Sequence, residues 1–297
     1  MVTRRDILRN AAGALPYTRS ALFPAGIVQR PPTTRRTRPN VLLVMTDDQG
    51  YGDLGCHGHP VVQTPNLDRL HSMSFRLTNF HVNPHCSPSR SALLTGRYAY
   101  RVGVPGVGNT ECFLRRDEVT MADVFAANGY RTGVIGKWHL GDNYPYRPED
   151  RGFQQALVHK GGGIGQVPDY WGNNCFNDTY FRNNKPEKFY GYCTDVWFEE
   201  ASYFPAQSRK VAKKFVTASQ NEPFFLYLAP NAPHCPFTVG RKYSQPYLER
   251  GIAPTAADFF GMITNLDENM GRLLKDMTSA GVLENYSGPW ISDQPIS

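Results

Sequence analysis

Four short segments hold most of the side chains able to do chemistry: Asp47-Asp48, His85-Cys86-Ser87-Pro88-Ser89-Arg90, Lys137-Trp138-His139 and Pro233-His234-Cys235-Pro236. Adjacent carboxylates offer oxygen ligands to a hard cation such as Ca²⁺ or Mg²⁺. Cys86 is a candidate nucleophile position, with Arg90 four residues further on. Lys137 and His139 are two apart at a strand end and point to one face. Each segment alone also has an ordinary reading: a solvated turn or helix cap for the aspartates, a buried apolar thiol for Cys86, surface polarity for Lys137 and His139, and a rigid turn for His234. Only the elements that position them could make one site of four segments.

Those elements alternate. Asn40 to Thr46 (NVLLVMT) reads as a buried parallel strand opening into a loop at Asp47-Asp48, with Gly50 and Gly52 beyond. Thr64-Pro65-Asn66 starts a helix with Leu67, Leu70 and Met73 on one face, and Ser89 to Tyr98 reads as the next helix, after a loop at Asn83 to Pro88. Met121 to Asn128 is a helix closed by Gly129, Tyr130 to Gly136 a strand, and Pro223 to Ala229 (PFFLYLA) another. Ala257 to Ala280 carries apolar residues at helical spacing and stops at Gly281. Residues 142–200, rich in Gly, Asn, Tyr and Trp, read as a long excursion shaping a pocket, with Tyr170, Trp171 and Trp197 able to stack on a ring. The pattern predicts an α/β fold, a mostly parallel mixed sheet sandwiched by helices, with active groups at the carboxyl ends of strands.

Taken together, the segments resemble the sulfatases of the alkaline-phosphatase-like superfamily, nearest the bacterial arylsulfatase-like branch. The resemblance rests on PNVLLVMTDDQGYGDLGCHG from Pro39, TPNLDRL from Thr64, CSPSRSALLTGRY from Cys86, GYRTGVIGKWHLG from Gly129 and APHCPF from Ala232, and spans roughly residues 39–297. It implies that Cys86 is oxidised to formylglycine by a formylglycine-generating enzyme. One hydroxyl of the hydrated aldehyde would attack sulfur and the other would later eliminate sulfate. Pro88 and Arg90 belong to the recognition signature of that modification, and Arg90, one helical turn from residue 86, would hold the gem-diol oxygens by forked hydrogen bonds. The resemblance further implies Ca²⁺ or Mg²⁺ held by Asp47, Asp48 and the residue 86 oxygen. Lys137 would sit on a sulfate oxygen, His139 would be base in the elimination, and His234 would lie at the ester oxygen.

The family's late ligand pair falls on Asp293 and Gln294, although Ser287-Gly288-Pro289-Trp290 stands where an apolar strand is expected. Ending at Ser297, the chain is expected to lack the family's C-terminal subdomain, with its further lysine. The expected organisation is therefore a leader and linker over 1–38 and a truncated N-terminal catalytic domain over 39–297. The main expectation is a metal-dependent sulfuric ester hydrolase acting on an aryl or carbohydrate sulfate. Its rivals are a non-catalytic anion-binding fragment and a phosphate or phosphonate ester hydrolase.

Composition agrees with a folded enzyme. Of 297 residues, 40% are hydrophobic and 20% charged, enough for a sizeable core. The net charge of +6 belongs to the first 38 residues, whose eight arginines face the single acid Asp6, while residues 39–297 carry 24 basic against 25 acidic groups. A nucleic-acid reader needs its charge on the folded body, so that class is excluded. Thr3 to Arg9 (TRRDILR) followed by Ala11 to Leu15 resembles a twin-arginine export signal, which predicts a periplasmic or extracellular location, and no apolar run is long enough to span a membrane. Six cysteines without a C-x-x-C pair argue against a structural zinc site. After export a bridge is possible, with Cys175 and Cys193 the first pair to test.

Overall fold

The computed structural model describes residues 38–108, 112–206, 223–282, 286–287 and 289–292. The arginine-rich leader lies outside them, as do Asp293 and Gln294. The three most apolar runs form the centre of one sheet. Strand β1 (Asn40–Thr46) buries everything from Leu42 onward, β2 (Arg131–Lys137) everything from Thr132 onward, and the later strand Phe224–Ala229 all its residues. Burial on both faces is why these strands read as continuous hydrophobic runs. Between β2 and that strand, which is therefore β6, come β3 (Gln155–His159), β4 (Thr179–Arg182) and β5 (Lys185–Lys188). The sheet order is β5-β4-β3-β2-β6-β1-β7, with β7 (Tyr286–Ser287) and β8 (Trp290–Ser292) both pairing with β1. All pairings are parallel except β3 with β4 and β4 with β5.

Alternate residues of each central strand face opposite sides. Leu42, Val44, Leu226 and Leu228 pack with Leu67 of α1 (Pro65–Ser72), Trp197 and Phe198 of α4 (Cys193–Tyr203) and Met262, Leu266 and Met270 of α6 (Pro254–Ser279). Leu43, Met45, Phe225 and Tyr227 pack with Leu94 of α2 (Cys86–Thr95) and Ala122 of α3 (Met121–Ala127). Helices thus cover both faces, as expected. Helix α5 (Arg241–Leu248) lies against α6, where Gly261 lets the backbones approach: a Cβ there would stand 3.0 Å from the Tyr243 carbonyl carbon.

Several boundaries and one region differ from expectation. Helix α2 begins at Cys86, three residues early, because Pro88 sits in its first turn, where a missing N–H costs nothing. Met73 ends α1 exposed rather than extending its buried face. The 142–200 excursion contains three strands and α4; strands of four or five residues are too short to show a period. The segment around Pro289 does add strand to the β1 edge, split into β7 and β8. The Pro289 carbonyl accepts from Val44 N at 3.1 Å although its nitrogen can donate nothing. Cys175 and Cys193 are free thiols. They lie side by side, with Cys193 N donating to the Cys175 carbonyl at 2.8 Å, and the thiol contact together with burial raises the Cys175 pKa far above its ordinary value.

Candidate active site

The carboxyl ends of β1, β2 and β6 meet the first turn of α2. As β1 ends, Asp47 is fully buried and its N–H donates to Ala232 O at 3.2 Å, tying the β1 exit to the loop after β6. Asp48 follows at φ 62° and His139, two residues past β2, at φ 56°. Left-handed backbone at non-glycine residues costs about 1–3 kcal/mol, and here it turns two polar side chains where β1 and β2 leave the sheet. His234 lies between prolines on the β6 exit loop, its Nδ1 donating to Cys235 O at 2.6 Å. That bond leaves the lone pair of a neutral ring on Nε2, which stands 3.7 Å from Asp48 Oδ2.

Asp47 is the electrostatic centre. Lys137 Nζ donates to its two oxygens at 2.9 and 2.6 Å, and Arg90 Nη2 donates to Oδ1 at 3.2 Å. All three side chains are fully buried. Arg90 Nη1 also donates to the Lys137 carbonyl at 3.1 Å and to Tyr227 Oη at 3.2 Å, binding α2 to β2 and β6. Removing one member of a buried ion group leaves an uncompensated charge, at about 3–5 kcal/mol. Two cations therefore hold this one carboxylate in place. Cys86 Sγ lies 3.2 Å from His139 Nδ1, and Ser87 Oγ donates to the His139 carbonyl at 2.9 Å, so the helix start and the histidine hold each other. Residue 86 opens a helix, whose free N–H groups and dipole favour negative charge there.

Asp47, Asp48, Cys86, Arg90, Lys137, His139 and His234 therefore converge from four segments. Lys137 pairs with Asp47, and the Arg90 fork reaches Asp47, a carbonyl and a tyrosine. His85 is exposed. Trp197 is buried with its Nε1 bonded to Asn231 Oδ1 at 3.0 Å, so it belongs to the core and stacks on no ligand, whereas Trp171 is 95% exposed. Sequence reasoning missed Tyr227, whose alternation within β6 is its only signal, and His159, the polar end of β3. It also missed Gly162, where a Cβ would stand 2.8 Å from His139 Cε1. The adjacent carboxylates of Asp47 and Asp48 form an all-oxygen donor set that fits a hard divalent cation.

A family model for sulfatases matches residues 39–293. The chain belongs to the sulfatase family. It is 36% identical to human arylsulfatase A over 83% of this chain and 50% of that protein, and 37% identical to bovine arylsulfatase A over 82% and 50%. The crystal structure of Ps i-CgsB in complex with k-i-k-neocarrahexaose superposes with a TM-score of 0.74 at 28% identity, over 86% of this chain and 58% of that one. This sulfatase chain spans about half the length of the curated relatives it matches. Among its described residues no helix is long and apolar enough to cross a membrane.

Proposed function

We propose that this chain carries the catalytic half-site of a sulfuric ester hydrolase that cleaves an aryl or carbohydrate sulfate. The observation that carries the reading is the meeting of Cys86, His139, Lys137, Arg90 and Asp47 at the carboxyl ends of β1 and β2. Residue 86 is the nucleophile position. Once a formylglycine-generating enzyme has converted Cys86 to formylglycine, its hydrate supplies the attacking oxygen. His139, within hydrogen-bonding reach of the residue 86 side chain, holds and removes its proton. His234 presents Nε2 to the ester oxygen, while Lys137 and Arg90 fix Asp47 and supply the positive field in which negative charge builds. Asp47 and Asp48, with Asp293 and Gln294 from outside the described residues, would hold Ca²⁺ or Mg²⁺, which when bound neutralises charge on the sulfate oxygens. The twin-arginine-like leader would send the protein out of the cytoplasm.

Protein co-expressed with a formylglycine-generating enzyme is expected to show the aldehyde at position 86 by peptide mass spectrometry. It is also expected to hydrolyse an aryl sulfate faster than the matching aryl phosphate. Cys86→Ala should lose that activity. Sulfate turnover that survives the substitution, or faster phosphate turnover, would sink the reading. Sulfate binding with no turnover would favour the anion-binding alternative. Ca²⁺ at 100-fold excess over its dissociation constant should stabilise the fold by about 2.7 kcal/mol, visible as a raised melting temperature.

A further inference from the structure

Cys56, His57 and His71 each present one ligand atom, all within 4.8 Å of one another. They line a cavity of about 640 Å³ whose wall includes Gln49, Phe80 and Trp290. Their positions are set by rigid parts. Cys56 and His57 sit on the short turn Gly55–His57, and His71 sits on α1. Gly55 N donates to Thr64 Oγ1 and Cys56 N to Asp68 Oδ1, both at 2.8 Å, pinning the turn to the start of that helix. His57 Nδ1 donates to Tyr51 O at 2.7 Å, which fixes the tautomer and leaves Nε2 as the ligand nitrogen, with the ring stacked on Tyr51 at a centroid distance of 4.1 Å. His71 Nε2 is buried with no hydrogen-bond partner among the described residues. Both amide atoms of Gln49, a residue only 2% exposed, are likewise unpartnered.

We infer that Cys56, His57 and His71 form a site for a zinc-like divalent ion, with the fourth coordination position open to the cavity beside Gln49. One thiolate and two imidazoles are the ligands of a tetrahedral borderline-soft ion, whereas Asp47 and Asp48 offer only oxygen, so the two positions select different metals. Zinc–sulfur and zinc–nitrogen bonds of about 2.3 and 2.0–2.1 Å require the three ligand atoms to close by roughly 1 Å, within the reach of side-chain rotation. Binding displaces the Cys56 proton to water, leaving a thiolate on the metal and no other change in bonding. Gln49 then faces whatever occupies the fourth position, a water or an anionic group.

The test uses the full chain carrying Cys86→Ala, which removes the thiol beside His139. Titration with Co²⁺ is expected to raise a thiolate-to-cobalt charge-transfer band in the near ultraviolet that saturates at one equivalent and survives excess Ca²⁺. Adding Cys56→Ser should abolish the band, and His57→Gln or His71→Gln should weaken binding about tenfold or more. Zinc X-ray absorption on the chain without these substitutions should count one sulfur and two imidazole nitrogens, a readout that holds even where a variant folds poorly. Absence of the band, its persistence in Cys56→Ser, its loss to Ca²⁺, or an all-oxygen shell would each overturn the site.

Discussion

His159 ends β3 directly opposite Lys137 in the β2 register and is completely buried, its Nδ1 donating to Lys160 O at 3.0 Å. Burial lowers its pKa from 6.5 to about 4, with the Lys137 and Arg90 charges acting the same way. The folded state therefore binds fewer protons than the unfolded chain between those values. The stability this represents is complete above pH 6.5 and is lost as pH falls toward 4, amounting to about 3 kcal/mol. Urea unfolding across that range should show a falling limb, and His159→Gln should flatten it; an unchanged limb would place the charge elsewhere. Single residues were partly legible. Cys86, Arg90, Lys137 and His139 stood out because their segments together match a family signature in order and spacing, not because any one of them is unusual alone. His159 did not, since one histidine after QALV carries no pattern of its own.

Strands β2 and β6 pair at Gly136, whose φ of 109° and whose neighbour Ala229 leave no room for a side chain: a Cβ would lie 2.1 Å from the Ala229 oxygen. Gly136→Ala should cost about 3 kcal/mol from overpacking and backbone strain together, read as a lower urea midpoint. Aryl sulfate turnover should fall with it, because Lys137 is the next residue. A variant as stable as the parent would show that the strands can part. Elements with long apolar runs, β1, β2 and β6, were readable to within a residue, and α6 was readable from its repeated apolar spacing although it starts three residues earlier, at Pro254. The short β3, β4 and β5 strands were not, since four residues give two turns of alternation at most and their stability comes from pairing with neighbours.

Across the molecule, Asp267 joins segments about two hundred residues apart. Its carboxylate accepts from Leu67 N at 2.8 Å, Asn66 N at 3.2 Å and Asn66 Nδ2 at 2.7 Å, so α6 supplies the cap that the first turn of α1 lacks from its own Thr64. Burial raises the Asp267 pKa, and those donors oppose the rise. Asp267→Ala should cost about 3 kcal/mol by leaving buried donors unmatched, and hydrogen exchange should quicken first at Asn66 and Leu67. Uniform exchange across the domain would contradict a local cap.

The order of residue types along the chain was enough to specify the α/β class, the family and the segments that hold the polar side chains. Apolar runs bounded by turns, and a motif of this length, are properties of nearest neighbours in sequence. The pairing of Lys137 and Arg90 with Asp47, the approach of His139 to Cys86, and the burial of Trp197 came only with folding. Each depends on which strand lies beside which: β6 enters the sheet between β1 and β2, and no local pattern encodes that insertion. The partner of a buried charge is chosen by three-dimensional neighbourhood, because burying it alone costs more than any local preference supplies.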